Sequence, residues 1–324
     1  MNKNNSIDKD VIKSIKKKGI GIKKISQIEK GINSRVFCLE THIEKFILKF
    51  YPSKDIIHSH DRLNAEIKFL DFLKSLGHQN VPKPLYWDTK NNWSLLTFLD
   101  GEEIKVVNDE VINSIIIFFE KLYSYKNHPK AKNLQNASEA CFSFSDHFRL
   151  IEKRLDRIQK FIAEENLYSD INEWIDDILR KDLANLQNNL KSECNLKLFK
   201  EKISDRERIL SASDVGIHNM LMDNDKFYFL DFEYSGWDDV SKYCSDWLLR
   251  PNQKFEINCK KILINKIKKV INSNSFLDRL EYMLPLYKIK WILIIFNGIY
   301  KDNKKITDIF ERAKDYYYDS PNFT

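Results

Sequence analysis

Apolar residues in the first hundred positions recur mainly in short runs that are rich in β-branched and aromatic side chains and bounded by turn residues. Such runs are typical of β-strands. Between the third and fourth runs the apolar spacing changes to three and four, which predicts a helix over residues 60–76. A shorter helix is predicted over residues 6–18. The predicted strands are residues 22–29, 35–40, 45–51, 85–88 and 93–98.

Helical periodicity dominates the chain beyond residue 101. Residues 220–230 are an exception, because two short strand-like runs there flank the turn Asp223-Asn224-Asp225 and predict a hairpin. The change of period divides the chain into an N-terminal lobe, residues 1–100, and a helical C-terminal lobe, residues 101–324. The predicted helices of the second lobe cover residues 107–125, 138–165, 170–191 and 254–318.

Composition and charge exclude several classes of protein. The chain has 324 residues and a net charge of +6, but its lysines are spread out rather than clustered, so we expect no nucleic-acid partner. Five scattered cysteines without Cys-x-x-Cys spacing argue against a zinc site or a disulfide framework and fit a reducing cytosol. The N-terminus is polar and the apolar runs are short, so we expect a cytoplasmic protein without a membrane span.

Three oxygen-bearing side chains have a spacing that suits phosphoryl transfer. Asp214 lies five residues before Asn219, and the predicted hairpin separates Asn219 from Asp231. Because a hairpin brings its ends together, Asn219 and Asp231 can reach one cation, and their oxygens suit Mg²⁺. Asp214 is then free to orient an acceptor hydroxyl. The alternative is an unrelated fold in which Ser213 or Asp214 caps a helix and Asp231 ends a strand.

The order Asp-x₄-Asn, followed about a dozen residues later by Asp-Phe-Glu, resembles the aminoglycoside phosphotransferase and choline kinase-like family. Residues 231–237, Asp-Phe-Glu-Tyr-Ser-Gly-Trp, resemble the metal-binding segment of its choline- and ethanolamine-type members. The family's loop usually begins His-x-Asp, and Ala212 stands in place of that histidine. The resemblance implies an α+β, bilobal protein-kinase-like fold, with a small antiparallel sheet and one helix in the N-lobe and a larger, mostly helical C-lobe.

The resemblance also implies roles for single residues. Asp214 would be the catalytic residue that faces the acceptor, and Asn219 and Asp231 would bind Mg²⁺. Three further residues are expected to support the site: Glu233 beside a metal or the loop, Asp246 bracing the catalytic loop from below, and His218 as a bracing or exposed residue rather than a base.

Lys49 lies in the otherwise apolar run Phe46-Ile47-Leu48-Lys49-Phe50. A buried ammonium needs a partner, because burying an unpaired charge is costly. Glu66, beside the apolar stripe of the predicted helix, is the candidate, and the pair resembles the kinase ion pair that positions the α- and β-phosphates. The alternative is that both residues are surface charges, with Lys49 on a wet face of its strand.

Two segments are predicted to contact the nucleotide. The turn containing Gly31, Asn33 and Ser34 can direct backbone N–H groups at phosphate oxygens, although it also fits an ordinary hairpin turn. The resemblance further implies that the segment with Thr97 and Leu99 is the hinge that binds the purine edge.

The sequence therefore predicts an ATP- or GTP-dependent phosphotransferase that acts on a hydroxyl of a small metabolite. A sugar or other surface-glycan precursor, choline or ethanolamine, and an aminoglycoside are all compatible acceptors. Residues 283–299 are dense in aromatic side chains, which indicates packed core or an aromatic box for a quaternary amine. A protein kinase is disfavoured because no Ala-Pro-Glu segment follows residues 231–233. A pseudokinase that only binds nucleotide or a partner is the non-enzymatic alternative. The oligomeric state is left open.

Overall fold

The N-terminal lobe is built on one antiparallel sheet with strand order β1-β2-β3-β5-β4. The computed structural model describes residues 7–28, 34–52, 60–164, 169–193, 199–273, 275–300 and 302–319. All five predicted strands of this lobe are present. Their bounds are β1 (Lys24–Ile28), β2 (Arg35–Glu40), β3 (Lys45–Phe50), β4 (Pro84–Asp88) and β5 (Trp93–Thr97). Because β3 lies between β2 and β5, its side chains are more buried than those of the edge strand β1.

Two helices accompany this sheet and belong to different cores. Helix α1 (Lys9–Lys17) packs Val11 and Ile15 against apolar side chains of the sheet. Helix α2 (Arg62–Ser75) begins at Asp61, whose carboxylate accepts a hydrogen bond from the Asn64 amide at 3.1 Å. The apolar face of α2 instead joins the main core of the molecule. Helix α2 therefore ties the sheet to the helical lobe.

Short strands of the C-terminal lobe flank the segment that contains Asp214 and Asn219. Strands β9 and β10 form the predicted hairpin, β6 adds to β9, and β11 pairs with β8. Strand β12 pairs in parallel with β7. Their bounds are β6 (Glu102–Glu103), β7 (Val106–Val107), β8 (Arg208–Ser211), β9 (Met220–Asp223), β10 (Lys226–Phe229), β11 (Gly236–Asp239) and β12 (Lys254–Phe255).

Helices make up most of the C-terminal lobe, as predicted. Two helices, Val240–Leu249 (α7) and Ser275–Phe296 (α9), contact each other and bury most of their side chains in the main core. A π-helical stretch, Ile175–Arg180, joins α5 to α6. The helices are α3 (Asp109–Ser124), α4 (Phe144–Glu164), α5 (Ser169–Trp174), α6 (Lys181–Glu193), α7 (Val240–Leu249), α8 (Cys259–Ile271), α9 (Ser275–Phe296) and α10 (Ile306–Asp319). Short 3₁₀ turns cover Tyr125–Asn127, Pro129–Asn133, Ile217–Asn219, Asn297–Tyr300 and Asn303–Lys305.

Helix α4 begins six residues later than predicted, at Phe144 rather than residue 138. The segment before it bonds to a distant loop instead: Ala137 N donates to the Trp237 carbonyl and Ser138 N to the Tyr234 carbonyl, both at 2.9 Å. Gly236 allows this contact, because a Cβ there would lie 2.3 Å from the Gln135 carbonyl oxygen. A non-local pairing therefore replaces the first turns of the predicted helix.

One helical segment, Ser275–Tyr300, is long and apolar enough to span a membrane by length and mean hydropathy. In the fold, 61% of its most apolar window is buried by protein. This burial is typical of a core helix. Lys288 and Lys290 interrupt the segment, so its uninterrupted apolar runs are short, and the packed-core interpretation of residues 283–299 agrees with its burial.

Candidate active site

Lys49 and Glu66 form a buried ion pair between the sheet and α2. The Lys49 Nζ lies 2.8 Å from Glu66 Oε2, and their side chains are 6% and 1% exposed. Glu66 is held from two further sides, since the Tyr51 hydroxyl donates to Oε2 at 2.6 Å and the Phe232 amide donates to Oε1 at 3.0 Å. The alternative of two surface charges is therefore excluded for this pair.

The Lys49 ammonium lies at the centre of three carboxylates. It also contacts Asp231 Oδ1 at 2.7 Å and Glu233 Oε2 at 3.1 Å. Burial on its own lowers the pKa of Lys49, but the carboxylates around it raise that pKa well above its ordinary value. The oxygens of Glu66, Asp231 and Glu233 lie close enough together to hold a metal ion. Because the Lys49 ammonium already occupies the centre of the three carboxylates, we interpret the cluster as a binding site for Lys49 rather than for a metal ion.

Asp231 and Glu233 respond differently to this cluster. Burial, followed by repulsion from Glu233 and Glu66 that the attraction of Lys49 only partly offsets, raises the pKa of Asp231 to about 7. Burial also raises the pKa of Glu233, but Lys49, Ser34 and Arg62 outweigh it and lower that pKa overall. Of these two carboxylates, Asp231 is therefore the one whose ionised form a further cation would stabilise more.

Glu233 is fixed by groups of the N-terminal lobe. The Ser34 hydroxyl donates to its Oε2 at 2.7 Å, and Arg62 lies 3.2 Å from its Oε1. His60 Nε2 lies 2.9 Å from its carbonyl oxygen. Arg62 also stacks over the Tyr234 ring, at 4.8 Å from the centroid. The Asp-Phe-Glu segment is thus anchored to the turn before β2 and to the start of α2.

The predicted catalytic loop, residues 212–219, leaves β8 through a strained backbone. Ser213 has a positive φ of 66°, and Asp231, the first residue of the predicted metal-binding segment, has one of 60°. Such conformations are unfavourable for residues other than glycine and cluster at functional sites. The Ser211 hydroxyl accepts a hydrogen bond from the Ser213 amide at 2.8 Å, which fixes the turn that presents Asp214.

Asp214 is paired with a cation that the sequence did not indicate. Arg250, the residue after α7, donates to Asp214 Oδ1 at 2.7 Å and to the Val215 carbonyl at 3.1 Å. His218 Nε2 lies 3.6 Å from Asp214 Oδ2. Burial on its own raises the pKa of Asp214, but hydrogen bonds and charge from His218 and Arg250 hold it well below its usual range. Asp214 is therefore ionised at neutral pH.

Asn219 and Asp231 lie at adjoining ends of the β9–β10 hairpin. Met220 pairs with Phe229, and the Leu230 amide donates to the Asn219 carbonyl at 2.8 Å. The Asn219 side-chain amide donates to the Asp214 carbonyl at 2.9 Å, so Oδ1 is the side-chain oxygen of Asn219 that could bind a cation. Asp231 uses Oδ1 for Lys49, so Oδ2 is the oxygen of Asp231 that could bind one. One amide and one carboxylate oxygen form a donor set that suits Mg²⁺.

A buried polar cluster lies beneath the catalytic loop. Lys242 donates to the Ser213 hydroxyl at 3.0 Å and to Asp238 at 2.6 Å. Asp246, predicted to brace the loop, lies 3.5 Å from Lys242 and 3.0 Å from Lys290. Its link to the loop therefore runs through Lys242. Because Ala212 offers no polar side chain, Lys242 is the group that supports this loop from below.

Of the remaining predicted residues, Ser34 and His218 contact carboxylates of the site, Thr97 and Leu99 lie elsewhere, and two lie outside the described residues. Gly31 and Asn33 lie outside the described residues. The Ser34 hydroxyl bonds to Glu233, as described above. Thr97 exchanges hydrogen bonds with Lys83, accepting from its amide at 2.9 Å and donating its own amide to the Lys83 carbonyl at 3.0 Å. Leu99 is half-buried just beyond β5. His218 is exposed, so its placement is compatible with the predicted secondary role.

Sequence reasoning missed several residues of this region. Arg250 gave no local signal, since it lies 36 residues beyond Asp214. Lys242 did give one, because it stands four residues from both Asp238 and Asp246. His147 and Arg154, on the predicted helix over residues 138–165, gave no spacing signal either, yet they are 0% and 8% exposed. They are buried because α4 packs against α9, whose Tyr287 bonds to His147, while Arg154 pairs with Glu139 of the segment before α4.

Comparisons with known proteins give one family match and several similar solved structures. The model of the phosphotransferase enzyme family (APH) matches residues 24–242. No curated protein sequence is detectably similar to the chain. Among solved structures, APH(2'')-IIa in complex with gentamicin has a TM-score of 0.64 at 16% identity, covering 98% of both chains. Choline kinase from Cryptosporidium parvum Iowa II has a TM-score of 0.62 at 13% identity, covering 96% of both chains.

A third structure, spectinomycin phosphotransferase APH(9)-Ia with ADP and spectinomycin, has a TM-score of 0.64 at 12% identity. It covers 96% of this chain and 95% of its own. At these identities the likeness shows the fold alone. The predicted α+β, bilobal protein-kinase-like fold is confirmed.

Proposed function

This chain belongs to the phosphotransferase enzyme family, and we propose that it transfers the γ-phosphoryl group of ATP or GTP, with Mg²⁺, to a hydroxyl of a small metabolite. The observation that carries the proposal is the meeting of Asn219 and Asp231 at the two ends of one hairpin, with Asp214 in the same loop. The same three positions were selected from the sequence by their spacing.

The nucleotide side of the site is formed by Lys49. In our proposal Lys49 exchanges its contact with Asp231 for the phosphate oxygens and keeps its ion pair with Glu66. The turn with Gly31, Asn33 and Ser34 would cover the phosphates, and the segment with Thr97 and Leu99 would bind the base. The N-terminal lobe, residues 1–100, would thus bind nucleotide, and residues 101–324 would bind the acceptor.

Asn219 Oδ1 and Asp231 Oδ2 would hold Mg²⁺, which when bound offsets the negative charge of the phosphates. Asp214 is ionised and can accept the hydrogen bond of an acceptor hydroxyl. The acceptor oxygen then forms a bond to the γ-phosphorus as the bond to the bridging oxygen breaks. The electron pair leaves with ADP or GDP, and the hydroxyl proton passes to Asp214 and on to water.

The acceptor classes that fit this chemistry are sugars, amino alcohols and aminoglycosides. Gentamicin and spectinomycin are the small molecules named in two neighbouring complexes, and choline kinase is the activity named in a third. We further propose a cytoplasmic location, where nucleotide triphosphates and reduced cysteines occur.

The direct test is a panel of sugars, amino alcohols and aminoglycosides, with ADP release and the mass of the phosphorylated product as readouts. We expect turnover by the natural chain and a loss of about 10²–10⁴-fold in Asp214→Ala, because positioned proton transfer contributes that much. Mg-nucleotide binding should persist in the variant. Equal turnover in Asp214→Ala would contradict its role, whereas nucleotide binding without any turnover would favour the pseudokinase alternative.

A further inference from the structure

Arg250 places a guanidinium directly beside the proposed catalytic carboxylate. It extends from the end of α7 and contacts Asp214, the Val215 carbonyl and His218 Nε2, the last at 2.7 Å. Its other face lies over the Trp291 ring, 5.2 Å from the centroid. These contacts are all made with the C-terminal lobe, where the acceptor would bind.

Arg250 keeps donors available for a ligand. A guanidinium has five N–H donors, and the contacts to Asp214, Val215 and His218 use three of them. Two N–H groups therefore remain without a partner within the described part of the chain. The side chain is 20% exposed, so these donors can reach a bound molecule. A paired, planar set of donors is suited to carboxylate and phosphate groups.

Three carboxylates around the catalytic loop are already paired with cationic side chains. Asp238 is paired with Lys242, and Asp246 with Lys242 and Lys290. Glu139, next to the Ser138 carbonyl that accepts from Ser213, is paired with Arg154. Among the described residues beneath the loop, no unpaired carboxylate is therefore available to balance the positive charge of a cationic acceptor, which would also lie near Arg250.

Arg154 adds a second cation with unused donors. It is 8% exposed, and its Nε and one terminal nitrogen have no hydrogen-bond partner in the described portion of the protein. Leaving a buried charged donor unsatisfied is unfavourable, because the group has lost its water without gaining a partner. Arg154 pairs with Glu139, whose neighbour Ser138 accepts a hydrogen bond from Ser213, so a second guanidinium with unmatched donors is linked to the catalytic loop through this segment.

Building on the proposed function, we propose that the natural acceptor bears an acidic group, a carboxylate or a phosphate, in addition to its reacting hydroxyl. Arg250 binds that acidic group and so sets the specificity for the acceptor. The positive charge of Arg250 repels an ammonium group at this position, which disfavours choline and aminoglycosides as acceptors. Binding of the acid also draws Arg250 towards the ligand and frees one oxygen of Asp214 for the hydroxyl.

The test uses two series in which the carbon skeleton is similar and the charge changes. One series is glucose, glucosamine, glucuronate and glucose 6-phosphate, and the other is glycerol, choline, glycerate and glycerol 3-phosphate. Steady-state rates with Mg-ATP give kcat/KM for each compound, and calorimetry gives binding in the presence of Mg and a non-hydrolysable ATP analogue. The carboxylate and phosphate members of each series separate the two acidic groups.

We expect an acidic member to exceed its neutral and cationic counterparts at least tenfold in kcat/KM. Arg250→Gln should raise KM for that acid at least tenfold, with KM for ATP changed less than twofold, and Arg250→Lys should be intermediate. Arg149→Gln is the matched control, because Arg149 is 59% exposed on α4 and pairs only with Asp146 among the described acidic residues. If Arg250 had only a structural role, Arg250→Gln would lower kcat/KM for all acceptors equally.

Three results would overturn the inference while leaving the proposed function standing. They are a best acceptor that is neutral or cationic, an acid preference that survives in Arg250→Gln, and no binding of any acid by protein that binds the Mg-nucleotide analogue. Failure to bind the Mg-nucleotide analogue itself would instead reject the proposed function.

Discussion

Replacing Lys49 by methionine tests the organisation of the site without any substrate. The Lys49 ammonium lies 2.7–3.1 Å from three carboxylates, and its side chain is 6% exposed. At an effective dielectric constant of about 20, each such contact is worth about 6 kcal/mol, most of which is offset by the cost of removing the charges from water. Breaking a buried pair by removing one partner costs about 3–5 kcal/mol. We expect Lys49→Met to lower the free energy of unfolding by that amount.

The measurement is urea unfolding in buffer without nucleotide or divalent metal. Lys45→Met is the matched control, because Lys45 lies on the same strand but is exposed, and it should cost less than about 1 kcal/mol. Adding Asp231→Asn to Lys49→Met should recover about 0.5–3 kcal/mol, since it removes one of the uncompensated charges. The reasoning is refuted if Lys49→Met is no more destabilising than Lys45→Met, or if the double variant is less stable than Lys49→Met alone.

Three further variants probe other parts of the account. Gly236→Ala would place a Cβ 2.3 Å from the Gln135 carbonyl oxygen and should cost about 1–3 kcal/mol in thermal unfolding, whereas Gly21→Ala, which has open space, should cost much less; equal effects would contradict the close approach. Ser213→Ala removes a hydrogen-bond partner of buried Lys242 and should lower stability by about 1.5–3 kcal/mol and reduce turnover without changing nucleotide affinity; unchanged turnover would show that this support is dispensable. Burial lowers the pKa of His147 despite Asp239, so the unfolded chain binds its proton more readily and stability should fall as pH drops below the ordinary histidine range. The loss between pH 7.5 and 5.5 should be smaller in His147→Gln, by up to about 1.4 kcal/mol per pH unit, and an identical loss in both proteins would exclude this contribution.

Local patterns in the sequence were sufficient for much of the fold. Strands such as β2 and the hairpin β9–β10 carry their own alternation and turn residues, so their positions follow from near neighbours. The Lys49–Glu66 pair was also predictable, because a lone lysine in an apolar strand demands a partner on the adjacent helix. The family, predicted from the spacing of Asp214, Asn219 and Asp231, is confirmed by the family model.

The features that escaped prediction depend on contacts between distant segments. The late start of α4 results from hydrogen bonds between residues 137–138 and residues 234–237. Arg250 reaches Asp214 only because α7 folds back beneath the catalytic loop, and no spacing rule encodes that direction. The burial of Arg154 likewise follows from packing of α4 on α9 rather than from the pattern of α4 itself.

The central claim is that one Mg-nucleotide is held by oxygens from both ends of the hairpin. Isothermal titration of a non-hydrolysable ATP analogue, with and without Mg²⁺, tests it most directly. The account predicts tight binding that requires Mg²⁺ in the natural chain and in Asp214→Asn, and loss of the Mg²⁺ requirement together with most of the affinity in Asp231→Ala. Unchanged affinity and Mg²⁺ dependence in Asp231→Ala would contradict it.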